Sequence, residues 1–234
     1  MSEVKFLEKA EGREIDQEIK RMYKDFPVVC NATSYFGFIR GSIVKGSNPF
    51  YILAINEILR RGDYRTPTLS DAETIQEKLK LRSTYIDLAI LLKSNRNPNS
   101  YLAGRLITQI NERDPAIKLP IIIPLHGLYL TRDKKSQYGL SFCLKEDVSL
   151  LDASIFSTDG YFDVLNKNTG LPNQLIVGPS YLHSLDTIRK KRYLFPMRTQ
   201  GLFEICLFNG INFGSRDGDL NLTNPNGRII LIKD

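Results

Sequence analysis

Cysteine is scarce in this chain and long apolar runs are absent, and each lack removes a class of protein. The three cysteines, Cys30, Cys143 and Cys206, lie far apart beside apolar neighbours, with no CxxC spacing and no histidine close by. A disulfide framework or a zinc site needs more ligands at tighter spacing, so the three read as small buried hydrophobes. The most apolar segment, residues 117–130 (IKLPIIIPLHGLYL), falls short of the roughly 20 residues that span a bilayer. The N-terminal stretch MSEVKFLEKAEGREIDQ is charged from its third residue, which argues against a signal peptide or an anchor. A cytoplasmic protein with no membrane partner is the expectation, and the sequons at Asn31 and Asn221 carry no weight there.

The usual catalytic signatures are missing as well. There is no GxGxxG or GxxxxGKS/T loop to bring backbone amides against a phosphate, and no GxSxG elbow or Cys–His pairing to activate a nucleophile. Asp217-x-Asp219-x-Asn221 opens with calcium-loop spacing, but Leu222 stands where the sharp turn wants glycine and Arg228 where a bidentate glutamate would close the site. No metal and no cofactor is expected. Nor is there a tandem repeat, a low-complexity tract or a linker rich in Pro, Gly or Ser, so residues 1–234 read as one composite domain.

What is present is ordinary globular composition, 42% hydrophobic and 25% charged, with a change of texture near residue 125. The expected class is α+β: N-terminal helices with a βαβ-like unit over 1–125, then a Gly-rich, mainly antiparallel β half over 126–234. Ten of the 16 glycines lie beyond residue 120. Residues 3–26 read as amphipathic helix and residues 28–44, rich in β-branched and aromatic side chains, as one or two strands. Asn48 as N-cap with Pro49 behind it opens a helix that Gly62 ends. Ser70 with Glu73 forms a capping box before a helix to about residue 81. An apolar run at 84–92, a helix at 98–111 opened by Asn97-Pro98 and the apolar run at 119–125 form the βαβ pattern, with parallel strands. Pro120 and Pro124 require a bulge, an end or an unpaired side in that last strand. A hairpin is expected across the polar loop 132–137, with further strands at 174–177, 201–209 and 228–232.

Three sets of residues are candidates for chemistry. Parallel strands would put the 93–97 loop and His126 on one rim, where Lys93, Ser94, Arg96 and Ser100 at a helix start suit an anion. On that rim His126 is a candidate general base for a phosphorylated or nucleotide substrate, with Asp87 as its partner; His183 is a weaker candidate. The third set is electrostatic. Of the net +6 charge, most of the excess lies over 181–198, where Arg189, Lys190, Lys191, Arg192 and Arg198 face only Asp186. With Tyr193 among them for stacking, they point to RNA or DNA as the partner of a non-catalytic binding module, the leading expectation. A small enzyme at the His126 rim is the alternative, and an assembly protein using exposed sheet edges is a third. Whether there is catalysis, and the oligomeric state, are not legible in the sequence.

Overall fold

The structure is a computed structural model that describes residues 3–30, 32, 38–39, 43–44, 46–60, 62–79, 84–176, 192–196, 198–208, 212–216, 220–223 and 226–233. In chain order the elements are β1 (Glu3–Phe6), α1 (Lys9–Met22), α2 (Pro27–Cys30), β2 (Phe38–Ile39), β3 (Ile43–Val44), α3 (Pro49–Leu59), β4 (Tyr64–Arg65) and α4 (Ala72–Leu79). There follow β5 (Tyr85–Leu92), α5 (Ser100–Arg113), β6 (Ile121–Pro124), β7 (Leu128–Arg132), β8 (Leu140–Leu144), β9 (Leu151–Asp152) and β10 (Gly160–Phe162). Last come β11 (Arg192–Phe195), β12 (Leu202–Phe208), β13 (Asn212–Arg216) and β14 (Ile230–Lys233). The fold is α+β.

Its frame is a seven-stranded sheet in the order β10-β11-β13-β12-β5-β6-β9, to which both halves of the chain contribute. Every pairing in it is antiparallel except β11 with β13. The expected parallel pairing of β5 and β6 is therefore corrected: Leu92 faces Ile121 and Ala89 faces Pro124, so the strands run in opposite directions. The connections 93–99 and 114–120, on either side of α5, return the chain to the end of β5 from which it left. The prolines obey their constraint. Pro124 is the last residue of β6, and Pro120 precedes the strand and only accepts, through its carbonyl, from the Ala153 N–H at 3.0 Å.

Local signals account for most helices. Asn48 caps α3 by accepting from Tyr51 N at 2.8 Å, while its Nδ2 donates to Val28 O at 3.1 Å and ties α2 to the same point. The capping box falls two residues early, on Thr68 and Asp71 rather than Ser70 and Glu73, and closes the 3-10 turn Leu69–Asp71 that leads into α4. Two expectations fail, one for a tertiary and one for a local reason. Glu3–Phe6 is strand, not helix, because β14 offers it a ladder, and Pro27–Cys30 is one helical turn, opened by Pro27.

The large sheet carries a core on each face. On one, Leu88, Leu91, Phe203, Ile205, Leu194 and Phe213 pack beneath α4 and the 153–175 segment. On the other, Ile90, Leu92, Ile121, Ile123 and Leu202 pack beneath α3, α5 and the β7–β8 hairpin. This second core includes no residue of β10, β11 or β13. Side chains on that face of those strands are thus outside the helical cover among the described residues. No helix among the described residues is long and apolar enough to cross a membrane.

Candidate functional site

Strand alternation fixes which side chains the face away from α4 carries. In β11 Leu194 points into the core, so Tyr193 and Phe195 leave the opposite face; in β13 Phe213 is core and Gly214 is opposite. In β12 Phe203, Ile205 and Leu207 are core, which puts Glu204, Cys206 and Phe208 on the opposite face, where Glu204 and Cys206 are themselves buried and Phe208 is half-buried. A bulge in β5 near Leu88 shifts its phase, and below it Tyr85 faces Phe208 and Asp87 faces Cys206.

The outcome is an unbroken row of aromatic rings across the strands. Centroid separations are 4.8 Å for Tyr161–Tyr193, 4.0 Å for Tyr193–Phe195, 5.4 Å for Phe195–Phe208 and 5.6 Å for Phe208–Tyr85, the last pair stacked. Gly214 makes the middle of the row possible. A Cβ there would lie 2.8 Å from Phe208 Cε1 and 3.5 Å from Phe195 Cβ, so a side chain at this position would force the Phe208 ring to shift. Between Tyr85, Phe195, Cys206 and Phe208 lies a cleft of about 260 Å³ floored by Gly214. Phe195 is 46% exposed, the largest exposure of any described phenylalanine.

One end of the row is polar and fixed. The Tyr193 hydroxyl donates to Asp159 Oδ2 at 2.6 Å, and its backbone N–H donates to Asn212 Oδ1 at 2.9 Å. Burial, with the Asp159 carboxylate next, pushes the Tyr193 phenol up to about 12. Asp159 in turn is held below the usual carboxylate range, chiefly by that hydrogen bond. Arg198 lies 3.7 Å from Asp159 with its side chain 85% exposed, so its guanidinium is presented beside Tyr193.

No match to known proteins accompanies this geometry. No family model, curated protein or solved structure matches the chain.

The residues singled out in sequence are only partly brought together. Of the basic set, Arg198 and Tyr193 meet at the row. Arg192 sits in β11 on the other face, where both its terminal nitrogens bind the Glu73 carboxylate, Nη2 to Oε2 at 2.6 Å. Arg189, Lys190, Lys191 and His183 lie outside the described residues, as do Asp217 and Asp219. Tyr161, Phe208 and Tyr85 were not singled out. Their signal was the i, i+2 spacing in Tyr193-x-Phe195, Cys206-x-Phe208 and Tyr85-x-Asp87, but spacing alone does not say which strands are neighbours.

The rim built on His126 does not form. With β5 and β6 antiparallel, Lys93 leaves the sheet beside Ile121, three residues before Pro124, which puts it roughly 10 Å or more from His126. The anion-site residues also disperse. Ser100 begins α5 beside a cavity of about 180 Å³ that neither Lys93, Ser94 nor Arg96 lines, and Ser94 Oγ is occupied in accepting from Arg96 N at 3.2 Å. The cap position of α5 is Asn99 rather than Asn97. Asn99 sits in the left-handed region at φ 61°, and its side chain reaches away to Leu202 O and the Tyr138 hydroxyl, both at 3.0 Å.

His126 instead projects into a different cleft, of about 340 Å³, with Arg65, Ser70, Ser149, Asn168 and Thr169 around it. The charges that bear on it are Lys145, Arg65, Asp71 and Asp147, and Asp87 is not one of them. Burial, then the cations Lys145 and Arg65, pull the imidazole below its ordinary 6.5. The neutral ring is favoured in the folded state, so its share of stability is complete above 6.5 and falls as pH drops from there through the folded pKa. With only two histidines in the chain, proton NMR of the ring resonances, assigned with His126→Asn, should show His126 titrating below 6.5. Titration above that value would mean a carboxylate, not burial, controls the ring. Among the described residues no group of three or more His, Cys, Asp or Glu side chains is placed to hold a metal ion.

Proposed function

We propose that this protein binds single-stranded nucleic acid, with bases stacking along Phe195, Phe208 and Tyr85 and phosphates meeting Arg198 and the basic segment 189–191 that leads into β11. The observation that carries the reading is the aromatic row on the sheet face away from α4, with the half-exposed Phe195 in its middle. Stacking on a protein ring contributes about 1–3 kcal/mol per base and needs base faces that a duplex keeps covered. The +6 charge supplies the long-range attraction to a phosphate backbone. A single strand is thus favoured over a duplex.

The other readings draw less support. An enzyme at the His126 rim loses its geometry with the antiparallel pairing of β5 and β6. Assembly through the edges of the large sheet has little to work with, since its edge strands β9 and β10 are two and three residues long and Tyr161 in β10 already exchanges backbone hydrogen bonds with Ile176.

Fluorescence anisotropy of labelled single-stranded RNA and of duplex DNA, each titrated at low and at near-physiological salt, tests the proposal. Single strands should bind more tightly, with an affinity that falls as salt rises and a slope that counts the phosphates met. Absence of binding at low salt would remove it. The geometry also separates two arginines that sequence groups together. Arg192→Ala should lower stability by about 1 kcal/mol through loss of the Glu73 pair, yet leave affinity nearly unchanged; Arg198→Ala should weaken binding and flatten the salt slope without altering the melting curve.

A further inference from the structure

Polar side chains from five separate segments converge on the cleft beside His126. Arg65 in β4, Ser70 at the entry to α4, His126 after β6, Ser149 before β9 and Asn168 in the 166–170 turn all line it, and among the described residues no carboxylate does. The groups are held in place. Both terminal nitrogens of Arg65 donate to the Asp71 carboxylate, at 2.7 and 3.1 Å, and Asp71 also accepts from Thr68 N and Oγ1, each at 2.7 Å. The turn that carries Asn168 is packed through Gly170 directly on the backbone of Leu69 and Ser70. At the imidazole the cations prevail, since Lys145 and Arg65 each act on it more strongly than either nearby acid, Asp71 or Asp147. A cleft fixed in shape and positive at its ring suits an anion.

We propose that this cleft binds the phosphate monoester of a small organic molecule, its oxygens accepting from Ser70, Ser149, Asn168 and His126 and its charge facing Arg65. The donor set decides between anions. Hydroxyl, amide and imidazole donors that come from separate segments match the three terminal oxygens of a tetrahedral phosphate, whereas a carboxylate presents only two oxygens in one plane. The cleft holds about 340 Å³, near the lower end of ligand pockets at roughly 300–1,000 Å³, so room remains for the group that carries the phosphate. Pro124 and Leu151 give that group an apolar wall. This cleft shares no lining residue with the aromatic one, so the inference stands apart from the nucleic-acid reading.

The test is proton NMR of the His126 ring at about pH 7.5, where a phosphate monoester is largely a dianion, during titration with phenyl phosphate, benzoate or sodium chloride at matched ionic strength. Phenyl phosphate should move the resonance saturably and bind about ten-fold more tightly than benzoate, the worth of one more charge-assisted hydrogen bond. Ser149 is exposed, so Ser149→Asp should keep the melting temperature while its charge repels the ligand and lowers affinity by about ten-fold or more. A His126 resonance that phenyl phosphate leaves unmoved, or that chloride moves equally, overturns the proposal. So does benzoate binding as tightly as phenyl phosphate, or phenyl phosphate binding that Ser149→Asp does not change. The parent titrations need no variant, so a misfolded Ser149→Asp leaves the test standing. An oligouridylate with a 5′-phosphate, set against its 5′-hydroxyl form, separates the sources of a monoester. A cleft that takes the phosphorylated strand and not phenyl phosphate belongs to nucleic-acid ends, which overturns the assignment to a small molecule.

Discussion

Phe195→Ala should weaken the binding of single-stranded RNA by about ten-fold or more while leaving the melting temperature nearly where it is. The two halves of that result have separate causes. On the proposed reading, affinity falls because the exposed ring would be a stacking surface, and losing one base–aromatic contact removes an amount near the 1.4 kcal/mol that makes a ten-fold change. Stability holds because a side chain already 46% exposed gives up little apolar area on truncation. Phe213→Ala is the matched control on the opposite face of the neighbouring strand. That ring is 1% exposed within the core beneath α4, so its removal should cost about 3–5 kcal/mol. Anisotropy and thermal melts on the two variants distinguish a binding surface from a packing one. A Phe195→Ala protein that melts much lower with unchanged affinity would place the row among structural features.

Gly170→Ala should be among the most destabilising single-methyl additions in the protein, about 3 kcal/mol, or a fall of roughly 2–4 °C for each of those kcal/mol in a chain of this size. Two faults combine at that position. Gly170 adopts φ 68°, which side chains rarely accept, and a Cβ would come within 2.1 Å of the Leu69 carbonyl carbon and 2.4 Å of Ser70 N. Both neighbours are backbone at the entry to α4 and cannot turn aside. The turn itself is tied, with Gly170 N donating to Asn166 O at 2.7 Å and Asn166 N donating to Leu171 O at 2.8 Å. Relief therefore requires lifting the whole turn off Leu69, which opens the core where Leu69 and Leu171 are buried. Asn168 and Thr169 line the His126 cleft, so the same variant should move the His126 resonance. A melting temperature within a degree or two of the parent would show that the turn is not held against α4 as described.

How much of this the sequence disclosed depended on whether the deciding interaction was local. Asn48 with Pro49 announced α3, because a cap and a fixed φ act within one turn. The β7–β8 hairpin and strand β12 were legible from alternation and turn residues in the same way. The direction of β6 was not. An apolar run, a helix and a second apolar run are compatible with either pairing, and the choice lies in how the connections around α5 lead the chain back. That single reversal dissolved the rim at His126. It also moved Asp87 from partner of a histidine to occupant of the opposite face.

The site followed the same rule. Tyr193 stood out through its basic neighbours and does lie in the row, whereas Arg192, adjacent in sequence, points to Glu73 because successive strand residues take opposite faces. Phe208 and Tyr85 are 123 residues apart, and only the β12–β5 pairing brings their rings to 5.6 Å. No local pattern encodes that distance. Gly214, which looks like a strand irregularity in sequence, is the residue on which Phe195 and Phe208 converge.

The central claim is that bases stack on this row, and photo-crosslinking measures it directly. Single-stranded RNA would be irradiated in complex with the protein, and the modified residues located by mass spectrometry. The account predicts adducts on Phe195, Phe208, Tyr85 or Tyr193, and their loss in Phe195→Ala combined with Phe208→Ala. RNA that binds and crosslinks elsewhere, with these rings unmodified, would contradict it.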